Sequence, residues 1–236
     1  MSFRYFLFDL DNCLVEIPDI QHYFDNLLVD TLKYFKVKKI PEFEERTKIW
    51  SSGKGYIELL RDWGVNQHQN FWEMLDIMDF ELRKPLIKQG KIKPFEDVLP
   101  TLEQLVSLDK RLAIISNTPD YIVDYQLKHF NLRKFFKIII GLGEDQTICK
   151  PESTGINLAL DFFLKNNNLH EEKSIVEMKS NTIMIGDSKV DILAAHNAKI
   201  KSCLVIRRKL RSIAEVRKWE HPPDYIIEDL KQLIEI

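Results

Sequence analysis

Two aspartates, Asp9 and Asp11, end an apolar segment near the start of the chain, in the sequence FRYFLFDLDNCLV of residues 3–15. Two carboxylates this close together can both stay ionised when a divalent cation lies between them. A third aspartate, Asp187, ends the apolar segment NTIMIGD, and oxygen ligands without His or Cys suit Mg²⁺. These three residues are therefore predicted to form a magnesium site, and Asp191, one helical turn further on, is expected to hold its ligands in place.

A second group of polar residues offers what a phosphate group requires. Ser116 and Asn117 follow the apolar segment RLAII and offer a hydroxyl, an amide and backbone N–H groups to an anion. Lys150 adds a positive charge. A metal, a nucleophile, donors for phosphate oxygens and a group that moves a proton are the components of a phosphoryl-transfer site. The residue types thus predict phosphoryl transfer.

The elements that position these residues follow from the apolar segments. Six such segments are predicted strands: Phe3–Phe8, Leu112–Ile115, Lys137–Ile140, Thr182–Ile185, Ser202–Ile206 and Tyr225–Ile227. Segments with helical periodicity separate most of them: Val98–Leu108, Tyr121–Phe130, Gly155–Lys165 and Asp191–Asn197. Apolar strands that alternate with helices predict a doubly wound parallel α/β sheet. Ligands bind beyond the carboxyl ends of the strands in such a sheet, which is where the polar residues lie.

Residues 16–92 have a different pattern, in which helical periodicity occurs without a strand. Helical segments are predicted around Ile20–Phe35, from Pro41, and over Gly55–Trp63 and Phe71–Leu86. We interpret this block as an inserted all-helical domain. Residues 1–15 and 93–236 then form the α/β core domain.

Composition and charge exclude several classes of protein. The 34 basic and 36 acidic residues give a formal net charge of −2, which indicates neither a nucleic-acid partner nor a membrane partner. The apolar segments are far shorter than the roughly 20 residues that span a bilayer. Three widely separated cysteines and a start without signal-peptide features favour a reducing, cytoplasmic location.

Four motifs together resemble those of the haloacid dehalogenase superfamily. They are DLDNCL at 9–14, SN at 116–117, KP at 150–151 and GDSKVD at 186–191, in the order of that superfamily. The sequence around them resembles the phosphatase branch related to phosphoglycolate phosphatase and β-phosphoglucomutase. The resemblance implies a Rossmann-like core, and it identifies the helical insertion as a cap domain.

The resemblance also implies a role for each motif residue. Asp9 is the nucleophile, and Asp11 is the general acid and base. Mg²⁺ is held by Asp9, the backbone carbonyl of Asp11, and Asp187. Lys150 neutralises charge, and Asp191 supports the metal ligands. Phosphate is bound by Ser116 and Asn117, together with Asn12.

The expected function is a Mg²⁺-dependent phosphatase that hydrolyses a small-molecule phosphomonoester through an aspartyl-phosphate. Its partner would be a small phosphorylated metabolite, and the protein a monomer or homodimer. The second aspartate argues against the dehalogenases and phosphonate hydrolases, which lack it. Two alternatives stay open: a phosphomutase of the β-phosphoglucomutase type, and a non-catalytic regulator with the same fold.

Several positions depart from the family pattern or lie outside it. Asn12 and Lys199 stand where glycine is common, and Cys13 is interpreted as a small packed residue. Within the cap, Lys54 is a candidate for substrate contact, whereas Trp50 is assigned to the core of the cap. The basic segment 201–212 is interpreted as a solvated loop after a strand.

Overall fold

The computed structural model describes residues 3–142, 148–166, 175–208 and 211–236, apart from the side chain of Lys54. The chain divides into two compact units. The first contains Met1–Glu16, Pro94–Leu142 and Ile148–Ile236, and the second contains Ile17–Lys93.

A six-stranded sheet forms the centre of the first unit. Its strands are β1 (Tyr5–Phe8), β4 (Arg111–Pro119), β5 (Phe136–Leu142), β6 (Thr182–Gly186), β7 (Lys201–Val205) and β8 (Tyr225–Ile227). They lie in the order β5-β4-β1-β6-β7-β8, and every neighbouring pair is parallel. The predicted doubly wound parallel sheet is confirmed.

Strand register brings the predicted motifs to one edge of this sheet. Phe8, the last residue of β1, pairs with Ile114 of β4 on one side and with Ile185 of β6 on the other. Asp9 therefore lies beside the end of β6 and beside the second half of β4, which continues to Pro119. The polar residues at the carboxyl ends of these strands converge because parallel strands run toward the same edge.

Helices cover the sheet and remove its apolar side chains from water. Their bounds are α5 (Val98–Ser107), α6 (Asp120–His129), α7 (Thr154–Asn166), α8 (Ile175–Ser180), α9 (Lys189–Ala198) and α10 (Ile213–Val216), with 3₁₀ turns at Arg133–Phe135 and Leu230–Ile234. Tyr5 and Leu7 pack with α7 and α9, while Phe6 and Phe8 on the opposite face are equally buried. Burial on both faces explains why β1 is apolar at every position.

The second unit is built from helices around its own apolar core. Its helices are α1 (Ile20–Tyr34), α2 (Phe43–Arg46), α3 (Tyr56–Asp62) and α4 (His68–Lys88), with 3₁₀ turns at Thr47–Ser51 and Gly53–Gly55. Leu28, Leu60 and Phe71 are fully buried in this core. Two short strands, β2 (Val15–Glu16) and β3 (Lys93–Pro94), pair where the chain leaves the first unit and returns.

Two further findings bear on the sequence analysis. No described helix is both long and apolar enough to cross a membrane. Cys13, Cys149 and Cys203 are all buried, and none of the three forms a disulfide.

Candidate active site

The site is centred on Lys150, a buried lysine between two carboxylates. Its Nζ atom lies 2.5 Å from Asp9 Oδ1 and 2.6 Å from Asp191 Oδ1. Burial lowers the pKa of Lys150, but the charges of Asp191 and Asp9 outweigh this effect and raise the pKa above its ordinary value. The lysine is therefore a positive charge held beside Asp9.

Three carboxylates gather at the edge of the sheet. Ligand oxygens of Asp9, Asp187 and Asp191 lie within 4.8 Å of one another. Burial raises the pKa of Asp9 well above its usual range, against the effect of Lys150 and with a further rise from the two neighbouring carboxylates. Burial and the charge of Asp191 also raise the pKa of Asp187 to about 7. An all-oxygen donor set whose charges are this crowded fits a hard divalent cation such as Mg²⁺.

The side chain of Asp11 lies apart from that group of three carboxylates. Its Oδ2 atom accepts a hydrogen bond from Thr118 Oγ1 over 2.7 Å. Thr118 in turn donates from its backbone N–H to Ser116 Oγ over 3.1 Å. The sequence analysis missed Thr118, although its position two residues after Ser116 in β4 puts both side chains on one face of the strand.

Asn117 contacts the backbone of Lys150 rather than standing free as a phosphate ligand. Its Nδ2 group donates to the Lys150 carbonyl over 3.0 Å, and its Oδ1 atom accepts from the Lys150 N–H over 2.7 Å. Both ends of the amide thus hold the lysine in place. Ser116, also predicted to bind phosphate, is 5% exposed.

Asp191 is held by the start of helix α9. Its Oδ2 atom accepts from the backbone N–H and the hydroxyl of Ser188, over 3.0 and 2.5 Å. Gly186 makes room for this carboxylate, since a Cβ at position 186 would lie 2.2 Å from Asp191 Cγ. The GDSKVD motif therefore requires glycine at its first position. Asp191 is fully buried and supports Lys150 directly.

A tight turn carries Asp11 away from β1. Asn12 has a φ of 55°, in the left-handed region that asparagine tolerates better than most residues, so the turn forms without glycine. Cys13 is fully buried, and its thiol lies 3.7 Å from the Ile185 carbonyl. Burial and the charge of Asp9 raise the pKa of the Cys13 thiol, so it stays protonated. Cys13 is thus the packed residue that the sequence analysis expects.

The structure places only some of the remaining residues that the sequence singles out. Trp50 packs on Phe24 and Trp72, with ring centroids 5.4 and 6.2 Å away, and belongs to the core of that unit. The side chain of Lys54 lies outside the described residues. The basic segment 201–212 is not uniformly solvated, because Arg207 is 8% exposed.

The chain is similar to known proteins over nearly its whole length. A family model of haloacid dehalogenase-like hydrolases matches residues 6–205. A pyrophosphatase PpaX from Oceanobacillus iheyensis is 26% identical over 244 residues, which cover 100% of this chain and 97% of the relative. A phosphoglycolate phosphatase from Haemophilus influenzae is 25% identical over 242 residues, which cover 100% and 98% of the two chains. A solved structure of a haloacid dehalogenase-like protein from Bacteroides fragilis has a TM-score of 0.69 at 25% identity, covering 98% of this chain and 100% of its own.

Proposed function

Because the chain belongs to the haloacid dehalogenase-like hydrolase family, we propose that it is a phosphatase that hydrolyses a small-molecule phosphomonoester through an aspartyl-phosphate. The family match confirms the resemblance that the four motifs indicated. The observation that carries the proposal is the pair of aspartates after β1, in which Asp9 contacts Lys150 and Asp11 contacts Thr118. Two carboxylates with different partners can take different roles in one reaction.

Asp9 is the nucleophile in this proposal. One of its carboxylate oxygens forms a bond to phosphorus while the bond from phosphorus to the ester oxygen breaks. The positive charge of Lys150, 2.5 Å from Asp9 Oδ1, favours the ionised carboxylate that this attack needs. Ser116 lies nearby to donate its hydroxyl to a phosphate oxygen.

Asp11 moves the proton in both halves of the reaction. It gives a proton to the leaving ester oxygen, and afterwards it takes one from the water that attacks phosphorus. The second attack breaks the bond between Asp9 and phosphorus, which releases inorganic phosphate and restores the Asp9 carboxylate. The hydroxyl of Thr118 holds Asp11 Oδ2 in one position through both steps.

Mg²⁺ would be held by the carboxylates of Asp9 and Asp187 and by the backbone carbonyl of Asp11. When bound, it supplies positive charge that balances the crowded carboxylates and the phosphate oxygens. Both oxygens of Asp191 already accept hydrogen bonds, Oδ1 from Lys150 and Oδ2 from Ser188, so we assign Asp191 to support of the site rather than to the metal.

The substrate is proposed to be a small phosphorylated metabolite, in a cytoplasmic protein that is a monomer or homodimer. The relatives named above provide the first compounds to test, namely phosphoglycolate and pyrophosphate. Sugar phosphates and nucleoside monophosphates extend the panel.

The test is phosphate release from this panel with Mg²⁺ and with EDTA, beside an Asp9→Asn variant. Turnover that requires Mg²⁺ and disappears in Asp9→Asn supports the proposal and ranks the substrates. A folded protein that releases no phosphate from any compound overturns it. Activity that appears only with a sugar bisphosphate and an isomeric monophosphate would instead indicate the phosphomutase.

A further inference from the structure

Arg207 is a buried charged residue that the mechanism above does not use. It follows strand β7, and its guanidinium has a partner on each side. Nε and Nη2 both donate to the carbonyl oxygen of Cys13, over 3.1 and 2.7 Å. Nη1 donates to Asp97 Oδ2 over 2.7 Å, and the guanidinium carbon lies 4.1 Å from the ring centroid of Phe95.

Asp97 anchors this contact to the rest of the first unit. The residue immediately precedes helix α5 and is 6% exposed. Its Oδ2 atom also accepts a hydrogen bond from the backbone N–H of Leu230 over 2.8 Å. The guanidinium therefore joins the turn at Cys13 to residues 95–97, and Asp97 is itself held by Leu230, which limits the freedom of Arg207 to move.

The Cys13 carbonyl belongs to the turn that carries the catalytic carboxylates. Within this turn, the N–H of Asn12 donates to the Val15 carbonyl over 2.6 Å. The N–H groups of Leu14 and Val15 both donate to the Leu10 carbonyl over 2.9 Å. The carbonyl of Cys13 points out of this local network and receives its two hydrogen bonds from Arg207.

We propose that Arg207 is a positioning residue that fixes the turn at residues 10–15 and, through it, the carboxylates of Asp9 and Asp11. The role of these carboxylates rests on the proposed phosphatase function. Without the guanidinium, the Cys13 carbonyl and the Asp97 carboxylate are buried without their partner, and rotation of the Cys13 peptide toward water relieves that cost. Asp11 lies only two residues earlier, so its carboxylate shifts relative to Thr118. A shift of about 1 Å in a catalytic group costs on the order of 100-fold in rate.

Arg207→Lys tests this role with charge retained. Lysine can still pair with Asp97, but its single ammonium cannot reproduce the planar fork that gives two hydrogen bonds to one carbonyl. We expect kcat to fall about 10- to 100-fold while KM stays within about 2-fold, because Arg207 does not touch the substrate. Leu160→Ala is the matched control: it removes a buried side chain of α7 in the same unit, lowers the melting temperature and leaves kcat unchanged.

Amide hydrogen exchange gives a readout that does not depend on activity. We expect faster exchange over residues 10–15 in Arg207→Lys, and unchanged exchange there in Leu160→Ala. Wild-type kcat or wild-type exchange over residues 10–15 in a folded Arg207→Lys protein overturns the proposal.

If Arg207→Lys does not fold, Asp97→Asn is measured by the same criteria, because it removes the charge that orients the guanidinium. A wild-type protein without phosphatase activity would refute the proposed function, and exchange alone would then decide the role of Arg207.

Discussion

Thr118 is an uncharged residue in direct contact with a carboxylate that the reaction depends on. Its hydroxyl donates to Asp11 Oδ2 over 2.7 Å, and replacing it with valine keeps the shape while removing the donor. We expect Thr118→Val to lower kcat about 10- to 100-fold, because Asp11 loses the contact that orients it. Steady-state kinetics on the best phosphate ester measure this effect. Thr118→Ser, which keeps the hydroxyl, should retain most of the activity, and equal kcat for the valine and serine variants would contradict the assignment.

Gly186 lies against Asp191, and the absence of a side chain at position 186 leaves room for the Asp191 carboxylate. A Cβ at this position would lie 2.2 Å from Asp191 Cγ, so Gly186→Ala has to displace the carboxylate that holds Lys150. We expect a loss of activity of about 100-fold or more together with a lower melting temperature. Gly155→Ala is the control, since its Cβ would meet the side chains of Ile115 and Ile140 at 3.3 Å, which can move, and the Ile148 carbonyl oxygen at 3.6 Å, an ordinary contact distance. Full activity of Gly186→Ala would show that the position of Asp191 is unimportant.

The charged residues proposed for the reaction could be predicted from the sequence. The neutral residue Thr118 and the remote residue Arg207 were not predicted. Asp9 and Asp187 directly follow apolar segments, and Lys150 comes later in the chain after the segment Lys137–Ile140. Carboxylates and lysines are conspicuous at such positions. Thr118 resembles any polar residue at a strand end, although its spacing from Ser116 was a usable signal. The partners of Arg207 are more than 100 residues away in sequence, so only the fold reveals its burial.

Helix α9 ends with an unfavourable backbone conformation at Lys199. Its φ is 59°, and the Ile200 N–H donates to the Ala195 carbonyl over 3.1 Å, in the arrangement that normally has glycine at this position. We expect Lys199→Gly to raise the free energy of unfolding by about 1 kcal/mol, because glycine adopts this conformation without steric strain. Urea denaturation measures the change. Lys179→Gly, within helix α8, should have the opposite sign, and stabilisation by both substitutions would contradict the explanation.

Helix α4 contains a carboxylate that titrates near neutral pH. Burial and the charge of Asp79 raise the pKa of Asp76 to about 7, against the effect of Arg83. The folded state therefore favours the protonated form. Stability is greatest below the unfolded pKa of about 3.9 and is lost as pH rises toward 7.

Asp76→Asn removes this titration and provides the test. We expect the variant to be more stable than the wild type at pH 8, by on the order of 2 kcal/mol after allowance for partial exposure, and nearly equal to it at pH 4. Denaturation curves at both values of pH measure the difference. If the difference in free energy of unfolding between the two proteins does not change with pH, Asp76 titrates normally in the folded protein.

Long apolar or periodic segments were predicted well, and short elements were missed. All six strands of the large sheet, of three to nine residues, were identified, because apolar segments separated by helices leave few alternatives. The two-residue strands β2 and β3 and the short helix α8 carry too few residues for a periodic pattern. The helix expected from Pro41 begins at Phe43, as boundaries depend on capping contacts that the pattern does not contain.

At the scale of the whole molecule, the interrupted core is the feature that the sequence shows most clearly. Strand β1 of the large sheet precedes residues 16–92, and the other five strands of that sheet follow them. The change from a purely helical pattern to strands that alternate with helices therefore predicts an insertion. The sequence pattern does not contain the long-range contacts that bring the site residues together at the edge of the sheet. Lys150 and Asp9 are separated by 141 residues, and their 2.5 Å contact depends on the order of the strands.

Binding of Mg²⁺ should stabilise the whole protein, because only the folded chain brings carboxylate oxygens of Asp9 and Asp187 within 4.8 Å of each other. A ligand at about ten times its Kd adds roughly 1.4 kcal/mol, which for a chain of this length raises the melting temperature by about 3–6 °C. Thermal unfolding with MgCl₂, against NaCl at equal ionic strength, measures the shift without any substrate.

The substitution Asp187→Asn should abolish this shift in melting temperature. Without Mg²⁺ and above pH 7 the same variant should melt slightly higher than the wild type, because it removes a carboxylate whose ionised form is disfavoured by burial and by the charge of Asp191. A Mg²⁺ shift that persists in Asp187→Asn would place the cation elsewhere and would separate metal binding from this group of carboxylates.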